Sequence, residues 1–521
     1  MAGLGSLSGM ARPFLPPLRG RQTFPAPPGR IRLLLAAATL ASGCATVKPA
    51  AAPAPPAPAA AALRPPERPL ETFDAVWTTI DTRHFDATHN GIDWSAVREE
   101  FRPQVEACAT EAEFRALLER MIARLDQSHF GIIPREVVGE VVGEVVGNES
   151  PGGEPVGSQG RVEAPRGGEG DAGLEIRILD GRAVVSRVAP GGAAAAAGIR
   201  PGWALLSIDG TATAVEFGPA LEEIVAAPTE RDRALRSLLL SRRISGRLDA
   251  RPGAARAVAL EDGAGLRREV TLVPAPPAGD AVRFGNLPPV RVTVEAREIS
   301  SEEFAAAGVA PERAPRIGLI AFPIWMPAAA GPLDAAVDRF RGMDAIVIDL
   351  RGNPGGVGGM VMGFGGHFFT EPVSLGAMQS RDSRLEFRVN PRTVTADGRR
   401  VEPFGGRIVI LTDPLSASTS EVFAAGLQDL GRAAVVGERS AGAALPSVVE
   451  RLPNGDVLQY AIADFETPKG HAIEGRGVTP DVAVDLTRAV LLEGGDPALS
   501  AALRKISREL RGDGVSAAGA T

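Results

Sequence analysis

The chain has 521 residues, with 56 basic and 63 acidic side chains, a formal net charge of −7 and 44% hydrophobic content. The acidic balance excludes a protein built to bind nucleic-acid phosphates, and the apolar content excludes disorder throughout. At roughly 150 residues per domain the length suggests about three domains. There are five histidines and just three lysines (Lys48, Lys469, Lys505), so chemistry that needs a lysine base has few candidates. Cys44 and Cys108 form neither a disulfide framework nor a zinc-ligand spacing, and no metal or cofactor is expected.

At the start of the chain, Arg30 and Arg32 precede the apolar run 33–40 and the small residues Ala41-Ser42-Gly43-Cys44. A basic flank and an apolar stretch too short to span a bilayer read as a secretory signal peptide over 1–44. The small residues ending on Cys44 resemble a bacterial lipobox. That resemblance implies lipidation of Cys44 and a membrane anchor in the bacterial cell envelope. With Ala45 following, it implies the periplasmic side of the outer membrane. An ordinary signal peptide with an incidental cysteine is the alternative. Residues 45–69, largely Ala and Pro, read as a semi-rigid tether.

The first folded segment, 70–134, reads as helical. Phe73, Val76, Trp77 and Ile80 fall at i, i+3, i+4, i+7, and Trp94, Val97 and Phe101 repeat the spacing ahead of Pro103. Thr110-Glu111-Ala112-Glu113 is a capping-box pattern opening a third helix, which carries Phe114, Leu117, Leu118, Met121 and Leu125 and ends at Asp126-Gln127-Ser128-His129. A threefold Glu-Val-Val-Gly repeat and a Gly/Glu/Pro-rich stretch make 135–170 a linker.

Residues 171–275 are β-rich. Gly173-Leu174-Glu175-Ile176 is followed by a strand over 183–188, the turn Ala189-Pro190-Gly191-Gly192, a short Ala-rich helix, Gly198-Ile199-Arg200-Pro201-Gly202 and a strand ending at Asp209-Gly210. This order resembles a PDZ domain, which implies that a peptide C-terminus adds as a strand beside the Gly173–Ile176 loop. Trp203 stands where such domains usually carry Asp, and a PDZ-shaped spacer without a ligand is the alternative.

From 276 to 487 strands alternate with helices. Ile317–Ile320, Ala345–Leu350, Ile408–Leu411 and Ala434–Val436 are continuous apolar runs, as expected for strands of an α/β sheet covered on both faces. Ligands of such sheets sit beyond the carboxyl ends of the strands. There stand Asp349-Leu350-Arg351-Gly352-Asn353-Pro354-Gly355-Gly356, whose glycines let backbone N–H groups approach a ligand, and Ser416-Ala417-Ser418-Thr419-Ser420-Glu421, which opens a helix. Each alone is ambiguous, since glycines make tight turns and serines cap helices. Residues 488–521 read as a C-terminal helix and tail.

Together these two motifs, with Gln428–Glu438 and Gly475-Arg476-Gly477-Val478-Thr479-Pro480-Asp481, resemble the C-terminal processing (tail-specific) serine peptidase family over about Phe73–Leu486. The resemblance implies an α/β protease core of mixed sheet with flanking helices, plus a helical N-terminal domain and a PDZ-like β-rich domain. It implies Ser418 as nucleophile, and Thr419 N–H with Gly355 or Gly356 N–H as the oxyanion hole. Substrates would be peptides or proteins, engaged through their C-termini.

The common branch of that family uses a Ser–Lys dyad, with the lysine just after the Val-Val-Gly-Glu strand. Here that stretch is Gly437-Glu438-Arg439-Ser440-Ala441-Gly442-Ala443-Ala444, without lysine, and arginine stays protonated. Histidine is the usual replacement base. His84, His89, His367 and His471 read as surface or packing residues. Ser128-His129 resembles the tricorn branch, in which a Ser-His pair of the helical domain reaches the nucleophile and a Glu completes the site; the corresponding residue is Glu474. The resemblance implies catalysis by Ser418, His129, Glu474 and Ser128. The alternative is a catalytically inactive relative that binds peptide tails or apolar ligands.

Overall fold

A computed structural model describes residues 65–135, 170–227, 230–249, 251–282, 290–310 and 314–511. The signal segment, Cys44, most of the tether and the Glu-Val-Val-Gly repeat lie outside them. Among the described residues no helix is long and apolar enough to cross a membrane.

The N-terminal periodicities form α1 (Pro69–Arg83), α2 (Trp94–Val105) and α3 (Glu111–Ile122). Helix α2 runs through Pro103, and the Thr110–Glu113 capping box is present at α3. Three short helices bury little on their own, and their core of Phe73, Ile80, Phe101, Phe114 and Met121 continues into Leu452, Leu458 and Tyr460 of a hairpin more than 300 residues later. Strand β1 (Gly131–Ile133) leaves the helices and pairs antiparallel with that hairpin, Gly131 opposite Gln459.

The next unit contains β2 (Leu174–Leu179), β3 (Arg182–Val188), α4 (Ala193–Ala196), β4 (Ala204–Ile208), β5 (Thr211–Ala212), α5 (Thr213–Glu216), α6 (Gly218–Val225), α7 (Glu230–Leu248), β6 (Arg256–Glu261) and β7 (Arg267–Leu272). Its sheet runs β2-β3-β4-β6-β7, so β2 is an edge strand, and Asp209 and Gly210 adopt the positive φ of the expected turn. The 19-residue helix α7 was not legible because arginines interrupt its apolar stripe; Leu240, Ile244 and Leu248 nevertheless join the core under β2.

After the ladder of β8 (Asp280–Val282) and β9 (Val290–Val292) come β10 (Glu295–Glu298), α8 (Ser301–Ala306), β11 (Ile317–Ala321), α9 (Pro327–Phe340), β12 (Ala345–Asp349), α10 (Met360–Gly365), β13 (Val373–Gln379), β14 (Arg384–Val389), β15 (Arg407–Thr412), α11 (Thr419–Asp429) and β16 (Ala434–Gly437). They are followed by the hairpin β17 (Ser447–Arg451) and β18 (Val457–Ala461), then β19 (Asp464–Glu466), β20 (Val482–Ala483), α12 (Arg488–Leu492) and α13 (Pro497–Arg511). The main sheet is β10-β11-β12-β15-β16-β20, parallel except for β10, with all four expected apolar runs inside it. Helices α9, α10 and α11 cover one face, and α8 and α13 the other. The carboxyl ends of β12, β15 and β16 therefore share one edge, and the chain segments that leave them meet there.

Candidate active site

Ser418 stands between β15 and α11 with φ 54° and ψ −120°, a backbone region that a residue with a Cβ enters only under strain of about 1–3 kcal/mol. The strain is held by its surroundings. Ser418 N–H donates to Ala443 O at 2.8 Å and to Glu421 Oε2 at 3.0 Å. The turn before it is fixed by Asp413, whose Oδ1 accepts from Gly352 N, Leu415 N and Ser416 N at 2.9–3.1 Å.

The glycine loop after β12 lies directly against this turn. Thr419 Oγ donates to Gly356 O at 2.9 Å, Ser420 Oγ to Asn353 O at 3.1 Å, and Trp325 Nε1 to Ser420 Oγ at 3.0 Å. A Cβ on Gly355 would lie 2.6 Å from Ser418 Cβ and 2.9 Å from Thr419 N, and the residue has φ 100°, so only glycine fits. The two glycines are not equivalent. Gly355 N–H donates to Asn353 Oδ1 at 3.0 Å, which removes it as an oxyanion donor. The N–H groups of Gly356 and Thr419 have no partner among the described residues. Thr419 N–H is also the first of α11, at the positive end of the helix dipole.

The structure brings Ser128, His129 and Glu474 together. Glu474 accepts from Ser128 N at 2.8 Å (Oε1), from Ser128 Oγ at 2.8 Å (Oε2) and from Ala444 N at 3.1 Å. Ser128 Oγ is also 2.8 Å from His129 Nδ1. A carboxylate only accepts, so the Ser128 hydroxyl proton points to Glu474 and its oxygen accepts from Nδ1–H, leaving the lone pair on Nε2. Burial pushes the His129 pKa down and the Glu474 carboxylate pulls it up. His129 Nε2 makes no hydrogen bond to Ser418 Oγ in the structure. The link between the two runs through the segment 443–444, which accepts from Ser418 and donates to Glu474.

Glu421, not singled out in the sequence beyond its place in the serine motif, organises that segment. Fully buried, it accepts from Ser440 Oγ at 2.5 Å, Gly442 N at 2.7 Å, Ala443 N at 2.9 Å and Ser418 N. Burial outweighs these donors and pushes its carboxyl up to about 7. The signal was the Ser-x-x-Glu capping pattern at a helix start. Asp413 carried the weaker signal of an Asp at the end of a strand.

The other candidates fall elsewhere. His367 is buried just after α10, 2.8 Å from Asp334 Oδ1, and His471 is exposed. Lys469 is exposed, and Lys505 pairs with Glu509. Gly173, Leu174, Glu175 and Ile176 lie at the start of edge strand β2, and Gly173 N–H is taken by Asp171 Oδ1 at 2.7 Å. One residue beyond them, Arg177 reaches Asp413 Oδ2 at 2.8 Å and Glu438 at 3.2 Å. Among the described residues no His/Cys/Asp/Glu group is arranged to hold a metal.

Comparison with known proteins places the parts. Residues 316–484 match the model of peptidase family S41, and residues 65–123 that of the tricorn protease C1 domain. A probable CtpA-like serine protease of Staphylococcus aureus (strain bovine RF122 / ET3-1) is 27% identical over 190 residues, 36% of this chain and 37% of that protein, so the match spans little more than a third of the relative. The chloroplastic carboxyl-terminal-processing peptidase 2 of Arabidopsis thaliana is 26% identical over 416 residues, 78% of this chain and 67% of that protein. Mature CPAF shares the fold, with TM-score 0.52 and 13% identity over 86% of this chain and 98% of that one. The segment that carries Ser418 and Glu474 thus matches the model of peptidase family S41, in a chain whose N-terminal helices match that of the tricorn protease C1 domain.

Proposed function

We propose that the protein is a serine endopeptidase that cleaves through an acyl-enzyme on Ser418 with His129 as base. The observation that carries this reading is the Glu474–Ser128–His129 hydrogen-bond chain, which sets the imidazole tautomer with its lone pair on Nε2. Ser418 Oγ attacks the scissile carbonyl carbon while its proton passes to His129 Nε2. The carbonyl π pair moves to oxygen, where Gly356 and Thr419 N–H groups receive it. Collapse breaks the C–N bond, and the amine leaves with the proton from His129. Water, deprotonated by the same imidazole, then hydrolyses the ester and returns the proton to Ser418. Approach of Nε2 to Oγ belongs to substrate binding, since catalytic hydrogen bonds often close only in the complex.

Glu474 acts through Ser128, opposing the charge that develops on His129. The stretch that carries lysine in the dyad branch is here pinned by Glu421 and Glu474, which suits a histidine base. Recognition of substrate C-termini by 171–275, and a lipid anchor at Cys44 in the cell envelope, belong to the same reading. They rest on the edge position of β2 beside α7 and on the sequence around Cys44.

The test is fluorophosphonate labelling of the purified protein, followed by mapping of the adduct and peptide hydrolysis assays. Labelling at Ser418, with hydrolysis lost in Ser418→Ala and in His129→Ala, is the expected result. Full activity in His129→Ala, or an unlabelled Ser418, overturns the assignment.

A further inference from the structure

The turn that presents His129 is strained: Asp126 (φ 49°) and His129 (φ 61°) both occupy the left-handed region without being glycine. Such a turn persists only if its neighbours dictate it. Glu474 holds one side, through Ser128. The opposite side is held by the segment after α1. There His84, with no solvent exposure, has Nε2 2.8 Å from Gln127 Oε1, and an amide oxygen only accepts, so Nε2–H donates to it, while Nδ1 lies 3.1 Å from Asp86 N and 2.8 Å from Asp86 O. Its ring stacks on Phe85 (centroids 4.7 Å apart, 17° between planes) and on Phe130 (5.5 Å, 17°), the residue after His129. Asn90 Nδ2 donates to Leu125 O at 2.9 Å, just ahead of the turn.

The His84 segment is itself anchored to the sheet domain. Arg381, between β13 and β14, donates to Asp81 O at 3.0 Å and to His84 O. His84 thus grips the turn on both flanks of Ser128-His129, by a hydrogen bond to residue 127 and a ring contact to residue 130, and takes its own position from the element that packs beside it.

We infer that His84 is a positioning residue, which holds the Gln127–Phe130 turn in the geometry that aims His129 at the nucleophile. The inference rests on the proposed roles of Ser418 and His129. It makes a distinction between the two properties of the imidazole: the ring packs, and the Nε2–H sets the turn. His84→Phe keeps the ring contact and removes the Nε2–H. His84→Gln places an amide N–H near the same point and removes the ring.

In the full chain, His84→Phe is expected to lower kcat at least tenfold with KM within twofold, and His84→Gln to recover part of the loss. Gln127→Leu removes the same hydrogen bond from the other end, so the double variant His84→Phe/Gln127→Leu is expected to be no worse than the poorer single one. A folded His84→Phe with kcat within twofold of wild type overturns the inference, as does an additive double variant. If His84→Phe does not fold, Gln127→Leu alone carries the same criterion. NMR titration of the His129 imidazole separates this inference from the functional reading. A loosened turn admits water, and the His129 pKa rises toward its ordinary value in His84→Phe; an unchanged titration counts against the positioning role even if the wild type hydrolyses nothing.

Discussion

Ser128 Oγ and Glu474 Oε2 lie 2.8 Å apart across 346 residues of sequence, and the same Ser128 oxygen lies 2.8 Å from His129 Nδ1. The imidazole therefore receives its orientation through an intervening hydroxyl. Ser128→Ala is expected to lower kcat by about 10²-fold with KM little changed, because the tautomer is no longer imposed while the nucleophile and N–H donors remain. Glu474→Gln is expected to act in the same direction. Steady-state hydrolysis of a peptide substrate checks both; a wild-type kcat in Ser128→Ala removes the hydroxyl from the chain.

The pH dependence follows from the direction of the His129 shift. In the proposed mechanism His129 acts only when neutral, and burial holds its pKa below the ordinary value of about 6.5 against the pull of Glu474. The acid limb of kcat/KM is expected below about pH 6.5, and Glu474→Gln moves it further acid by removing the charge that raises the pKa. A limb at or above the ordinary value contradicts the buried geometry.

Glu421 gives a stability signature of the opposite sign. Its folded pKa of about 7 exceeds its ordinary 4.5, so the fold binds a proton there that the unfolded chain has lost. That contribution is fully present below about pH 4.5 and fades as pH rises through about 7. The stability of wild type relative to Glu421→Gln is expected to fall over that interval, by on the order of 3 kcal/mol. Denaturant midpoints across the range measure it, and a flat difference denies the shift.

Gly355→Ala is expected to abolish hydrolysis and fluorophosphonate labelling, since the added methyl meets Ser418 Cβ at 2.6 Å from a backbone at φ 100°. Gly331→Ala is the matched control. It lies within α9 with nothing but its chain neighbours within 4 Å of the new Cβ, so it is expected to leave activity intact.

Attachment of the N-terminal helices to the hairpin is tested at Arg115. Its guanidinium holds both oxygens of the fully buried Asp456 carboxylate, at 2.7 and 2.8 Å. Arg115→Met strands a buried charge and is expected to cost about 3–5 kcal/mol, lowering Tm and reducing kcat, because β1 and the His129 turn register against that hairpin. Retention of wild-type Tm means that Arg135 N and Asn454, the other donors to Asp456, suffice.

What the sequence determined by itself was local. Continuous apolar runs marked β11, β12, β15 and β16, the capping box marked α3, and glycine and serine motifs at strand ends marked where a site would form, because each depends on neighbours a few residues away. The missing lysine after β16 was equally a local fact, and it pointed to histidine. Helix α7 was lost because arginines disguise its stripe, although its buried residues are spaced normally.

The tertiary structure decided everything that depends on separation in space. The pairing of β1 with β18 carries residues 128–129 to Glu474 and leaves His367 and His471 to other surroundings. Asn353 Oδ1 takes the N–H of Gly355 and leaves that of Gly356 open, a choice invisible in two adjacent glycines. Burial of Glu421 under four donors turned a residue of a helix-capping pattern into the link between the Ser418 turn and the segment 440–444, whose Ala444 N donates to Glu474. Residue type limits which hydrogen bonds are possible; only the packed fold, with water excluded from the donors and acceptors, selects which of them form.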